Sequence, residues 1–138
     1  MTREFGLALS FHPRTGMVLI CDFRGYEPPE ITKARPVVVI STHALRRQGL
    51  VTVVPLSATA PDPTMPYHLL LSATELPAME RSLWVKGDLV AAVSIRRLDR
   101  VHLGRGRYGV GQVSVDTIRR IRRCVLFGLG IDPASVDP

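Results

Sequence analysis

Two apolar runs constrain this chain more than any other feature. The first is Pro36-Val37-Val38-Val39-Ile40-Ser41, with Arg35 directly before it. The second is Leu50-Val51-Thr52-Val53-Val54-Pro55-Leu56-Ser57. β-Branched runs bounded by Pro and Ser read as short strands covered on both faces. Pro36 fixes its own φ and pushes Arg35 into an extended conformation. Arg35 is therefore expected at the mouth of a core strand, its guanidinium leaving the core. Ser57 is expected at the end of a second core strand. The rest of the chain is arranged around these two strands.

Residues 1–15 are a ragged lead-in, in which Phe5, Leu7 and Leu9 alternate with small or polar residues as in a short edge strand. Residues 17–23 form the first expected strand. Residues 24–34 hold Gly25, Tyr26, Glu27, Pro28, Pro29, Glu30 and Lys33. Pro-Pro excludes a helix there and disfavours regular strand. A long charged loop between two buried strands, ending at Arg35, points to function more than to a linker. Beyond the frame, residues 42–49 suit one helical turn and residues 67–71 a strand. Residues 72–82 read as irregular, with a short helix around 75–79. Strands are expected at 83–85, running into a Lys86-Gly87 turn, at 88–94 and at 101–103, with Arg96-Arg97-Leu98-Asp99 capping or bending the chain. Residues 114–129 are the one long helix, with Ser114 as N-cap and Asp116 near the positive end of the dipole. Ile118, Ile121, Val125 and Leu129 fall on one face, and Phe127 points outward.

Several short strands followed by one helix give an α+β, mostly β fold: a small antiparallel barrel or curled sheet. With 138 residues, one domain over 1–138 is expected. The net charge of +6 favours polyanions or acidic protein partners. Cys21 and Cys124 lie far apart in apolar runs, as buried free thiols do. Residues 1–10 lack the apolar core of a signal peptide, and no apolar run approaches membrane-spanning length. A soluble cytoplasmic protein without a membrane association is the expectation.

The chemistry narrows by elimination. His12, His43, His68 and His102 are scattered and show no metal-ligand spacing, and no Walker-type phosphate loop is present. Gly104-Arg105-Gly106-Arg107-Tyr108-Gly109 resembles a loose glycine fingerprint but fits a hairpin better. Arginine, hydroxyl and carboxylate remain. That set suits metal-free and cofactor-free RNA cleavage, in which the RNA supplies its own 2′-hydroxyl nucleophile. The protein must then hold that group in line and stabilise charge on the phosphoryl oxygens. A planar guanidinium matches phosphate geometry.

The chain resembles the MazF/PemK-type toxin family. The resemblance rests on residues 16–23, on Arg35-Pro36-Val37-Val38-Val39-Ile40-Ser41, and on Val53-Val54-Pro55-Leu56-Ser57. It extends to Lys86-Gly87-Asp88-Leu89-Val90, Ser94-Ile95-Arg96-Arg97-Leu98-Asp99 and the terminal helix. It implies an SH3-like barrel with a C-terminal helix, working as a homodimer and as the toxin of a type II toxin–antitoxin module. Such toxins cut single-stranded RNA, including mRNA, without metal, leaving a 2′,3′-cyclic phosphate and a 5′-hydroxyl. A cognate acidic antitoxin is the implied protein partner. By position, Arg35 matches the catalytic arginine and Ser57 the catalytic Ser/Thr. Glu27, Glu30, Lys33, Ser94 and Arg96 are the supporting or substrate-binding candidates, with either Glu27 or Glu30 taking the acidic position. Ser94 stands where many members carry Gln. Two other readings compete: a non-catalytic basic barrel that binds nucleic acid or protein, and a CcdB-like gyrase poison.

Overall fold

The computed structural model of the chain describes residues 9–45 and 47–135. Most of the edge strand expected around Phe5, Leu7 and Leu9 lies outside them. Among the described residues the strands are β1 (Met17–Asp22), β2 (Ala34–Val39), β3 (Leu50–Ser57), β4 (His68–Leu71), β5 (Leu83–Lys86), β6 (Ala91–Ser94), β7 (Leu98–Asp99), β8 (Val101–Gly104), β9 (Arg107–Gly109) and β10 (Gly111–Gln112). One α-helix, α1 (Val115–Gly128), follows them. No described helix is long and apolar enough to cross a membrane.

The main sheet runs β10-β1-β2-β3-β5-β4, all antiparallel. Two long strands each carry two partners on one edge. β3 pairs β6 along its first half and β5 at its end. β1 pairs β10 at its start and β7 at its end. A single 3₁₀ turn, Ile95–Arg97, carries the chain from β6 on one flank to β7 on the other. The sheet therefore curls almost into a ring, but no ladder joins β6 to β7. It is a curled antiparallel sheet with one helix, and the barrel stays open.

The alternation of side chains explains why β1 to β3 read as continuous apolar runs. Val18, Val38, Val54 and Leu56 enter one core, which Leu71, Leu83, Val85, Ile118, Ile121, Cys124 and Val125 complete. Leu19, Cys21, Val37, Val39, Val51 and Val53 enter a second core inside the curl with Phe23, Val93 and Leu98. Both faces are dry, so both alternating sets are apolar. Leu9, at the edge of the described chain, packs against this inner core.

Three expectations change. The strand expected at 88–94 shrinks to β6, because Gly87–Leu89 forms a 3₁₀ turn. Gly87 lies so close to the helix that an added Cβ would sit 2.7 Å from the Cys124 carbonyl carbon. That contact pulls the chain off the sheet. Residues 72–82 contain turns instead of a helix, with Ala78 at φ 81° and Glu80 at φ 58°. Leu129 is the helix C-cap and is 62% exposed; Cys124 takes the buried place on that face. The N-cap is as expected, with the Ser114 side chain accepting from the Thr117 N–H. The glycine-rich segment forms the β8–β9 hairpin.

Candidate active site

The register between β2 and β3 brings the two leading residues together. Val37 faces Pro55, Val38 faces Val54 and Val39 faces Val53. Continuing that antiparallel register by two residues sets Arg35 opposite Ser57. Period-two alternation puts both side chains on the face of Val37 and Val53. There the apolar ladder ends, and a cavity of about 260 Å³ opens, lined by Arg35, Ser57, Thr59 and Arg81 with Ala34, Pro36, Leu56, Ala58 and Leu83.

Its lining residues include two arginines and two hydroxyl-bearing residues, and no acidic residue lines it. Arg35 is exposed, and its Nη1 donates to the Ala34 carbonyl at 3.0 Å, which folds the guanidinium back over its own strand end. The Ser57 Oγ accepts from the Thr59 N–H at 3.1 Å. That bond orients the oxygen and leaves the hydroxyl hydrogen to point at a ligand. Among the described residues neither Arg35 nor Arg81 has a carboxylate within salt-bridge reach. Such a lining is chemically suited to an anion with several oxygens, such as a phosphodiester.

Arg81 and Thr59 were not singled out from the sequence. Thr59 is two residues beyond Ser57 and follows it into the cavity. Arg81 arrives through the pairing of β5 with the end of β3, where Trp84 faces Ser57. No local pattern around Arg81 announces that pairing.

The supporting candidates lie elsewhere. Glu30 lines a separate hollow of about 160 Å³ with Phe23, Tyr26, Ile31, Asp88, Leu89, Val90 and Ala91. Its Oε1 accepts from the Glu27 N–H at 2.7 Å, while its own N–H donates to the Glu27 carbonyl at 2.8 Å, so Glu27 and Glu30 close a turn on themselves. Lys33 is exposed just before β2 and does not line the Arg35 cavity. Ser94 faces Leu50, at the opposite end of β3 from Ser57, and its Oγ accepts from the Arg96 N–H at 3.1 Å. Ser94 and Arg96 thus cap the turn into β7, roughly 20 Å along the strand from the cavity.

The start of the 24–33 loop is pinned. Arg24 pairs with Asp22 at 2.6 Å, and Arg97 Nη1 donates to the Asp22 and Arg24 carbonyls at 2.8 and 2.9 Å. The Arg97 guanidinium also lies 5.0 Å from the Tyr26 ring centre. The hydrogen bonds from Arg24 hold the Asp22 carboxyl below the usual carboxylate range. Burial pushes the Cys21 thiol up to about 12 and raises Cys124 as well, so both behave as inert core residues.

A family model described as PemK-like, MazF-like toxin of type II toxin–antitoxin system matches residues 14–127. An uncharacterized protein of Haemophilus influenzae is 26% identical over 129 residues, covering 83% of this chain and 87% of the relative. The uncharacterized protein YifN of Escherichia coli is 30% identical over 122 residues, covering 72% of this chain and 80% of the relative. Among solved structures, MazF from Deinococcus radiodurans superposes with a TM-score of 0.68 at 20% identity, over 88% of this chain and all of that one. An endoribonuclease in complex with its cognate antitoxin, from a mycobacterial species, superposes with a TM-score of 0.62 at 23% identity, over 86% and 96% of the two chains. At those identities the superpositions speak for the fold.

Proposed function

Because this chain belongs to the PemK-like, MazF-like toxin family of type II toxin–antitoxin systems, we propose that it is an endoribonuclease that cuts single-stranded RNA at the Arg35–Ser57 cavity. The observation that carries this reading is the register that sets Arg35 opposite Ser57 over a cavity whose lining is cationic and hydroxylic. A phosphodiester seated there would place its non-bridging oxygens on the Arg35 guanidinium. Ser57 would donate its hydroxyl hydrogen to the phosphate or to the ribose 2′-oxygen.

The reaction asks little covalent chemistry of the protein. The 2′-oxygen attacks the adjacent phosphorus, the bond from phosphorus to the 5′-oxygen breaks, and a 2′,3′-cyclic phosphate and a 5′-hydroxyl result. The 2′-hydroxyl proton passes to water, and the departing 5′-oxygen takes a proton from water. The protein's share is alignment and stabilisation of charge building on the phosphoryl oxygens. Both are within reach of a guanidinium and a hydroxyl, so cleavage is proposed to need no metal. Glu27, Glu30, Lys33, Ser94 and Arg96, all outside the cavity, are proposed to contact flanking nucleotides. The working form is proposed to be a homodimer in the cytoplasm, silenced by an acidic antitoxin.

The test is incubation of the purified protein with end-labelled single-stranded RNA in excess EDTA. Discrete cuts ending in 2′,3′-cyclic phosphate are expected. Cleavage that stops on chelation and returns with Mg²⁺ would overturn the mechanism. Intact RNA under all conditions would favour a binding module or a toxin with another target.

A further inference from the structure

We propose that Arg81 is a second phosphate-binding guanidinium of this cavity, closing on the phosphodiester from the side opposite Arg35. The assignment rests on the reading of the cavity as an RNA-cleaving site and adds to it the group that completes its grip. Three observations carry it.

The first is placement. β3 lies between β2 and β5, with Ser57 facing Trp84 on the β5 side and continuing opposite Arg35 on the β2 side. Adjacent strands are about 4.8 Å apart, so the backbones that bear Arg35 and lead to Arg81 stand roughly 10 Å apart with Ser57 between them. Two long arginine side chains can span that gap to reach one anion held beside Ser57.

The second is charge. Arg35 and Arg81 line one cavity with Ser57 and Thr59, no carboxylate lines it, and no described carboxylate pairs with either arginine. Two guanidiniums facing one space repel each other until an anion enters. The pair is therefore an arrangement that ligand completes.

The third is the backbone. Glu80, directly before Arg81, sits at φ 58°, and Ala78 at φ 81°. Non-glycine residues rarely hold positive φ, and such conformations gather at ligand clamps. Here they lie in the turns between β4 and β5, directly before Arg81 joins the cavity lining.

The test pairs a kinetic and a non-kinetic reading. In single-turnover cleavage at saturating RNA, Arg81→Ala is expected to lose roughly a hundredfold in rate, with Arg81→Lys recovering little of it because lysine lacks the planar fork. Binding of an uncleavable RNA, 2′-deoxy at the scissile position, should weaken less than tenfold, since most affinity comes from other phosphate contacts. Independently of any cleavage, uridine 3′-monophosphate should raise the melting temperature of the parent and leave that of Arg81→Gln almost unmoved. Parental cleavage by Arg81→Ala, or full recovery by lysine, overturns the assignment. So does a nucleotide-induced melting shift in Arg81→Gln equal to the parent's. A parent that binds the nucleotide through Arg81 yet leaves RNA intact overturns the endoribonuclease reading and keeps the Arg81 site.

Discussion

At Arg35, shape and charge can be separated. Lysine keeps the positive charge and loses the bidentate fork and its rigid aim. Arg35→Lys should therefore lower single-turnover cleavage by about a hundredfold or more, on the order of 3 kcal/mol of transition-state stabilisation. RNA affinity and melting temperature should change little, because Arg35 is exposed at a strand mouth. Near-parental cleavage by the folded lysine variant would remove Arg35 from the reaction. Asp22 offers a different test, because its carboxyl is held low chiefly by the Arg24 side chain. A depressed folded-state value means a contribution to stability that is present above the unfolded value of about 3.9 and lost as pH falls through the folded one. Asp22→Asn should be less stable than the parent at neutral pH and should lose less stability between neutrality and acid. Parallel acid-denaturation curves would refute the pairing as the cause. The places of Arg35 and Ser57 at the ends of paired strands were legible in the sequence because Pro36 and the ends of two apolar runs mark them. Arg81 was not, because its place depends on the pairing of Ser57 with Trp84 and on the turn at Glu80, neither of which has a local signature.

The elements that could be read in advance are those whose pattern comes from burial on both faces. β1, β2 and β3 alternate between two cores, and α1 carries Ile118, Ile121 and Val125 inward with Ser114 as its cap. Where tertiary contact decides, the local pattern misleads. The apolar run after Asp88 reads as strand, yet the approach of Gly87 to the helix turns it into a 3₁₀ turn first. Gly87→Ala tests that contact. Its Cβ would meet the Cys124 carbonyl carbon and oxygen at 2.7 Å, and the helix would have to move. A loss of about 1–3 kcal/mol in chemical denaturation is expected. Unchanged stability would show that the helix is not held by this contact. Arg122 Nη2 donates to the Ile40 carbonyl at 2.8 Å and ties the same helix to the chain just beyond β2, so a displaced helix also disturbs the strand that carries Arg35.

Across the whole molecule, β2 begins with exposed residues and β3 ends on the half-buried Ser57 while most of both strands is buried, so the cavity opens at the surface of a chain whose net charge of +6 draws in anions. An acidic antitoxin segment and RNA should therefore compete for this surface. RNA binding measured against a titrated antitoxin peptide should weaken as the peptide binds; simultaneous binding without mutual weakening would contradict a shared surface. Arg35 and Ser57, set opposite each other by the β2–β3 register, are proposed to act on one phosphate as a unit. Single-turnover RNA cleavage by Arg35→Ala, Ser57→Ala and the double variant distinguishes a unit from two independent contributions. Each single change should cost about a hundredfold or more, and the double variant should be little worse than the poorer single one, because removing either partner already dismantles the unit. A double variant whose loss is the product of the two single losses, or single variants that cleave at the parental rate, would contradict it.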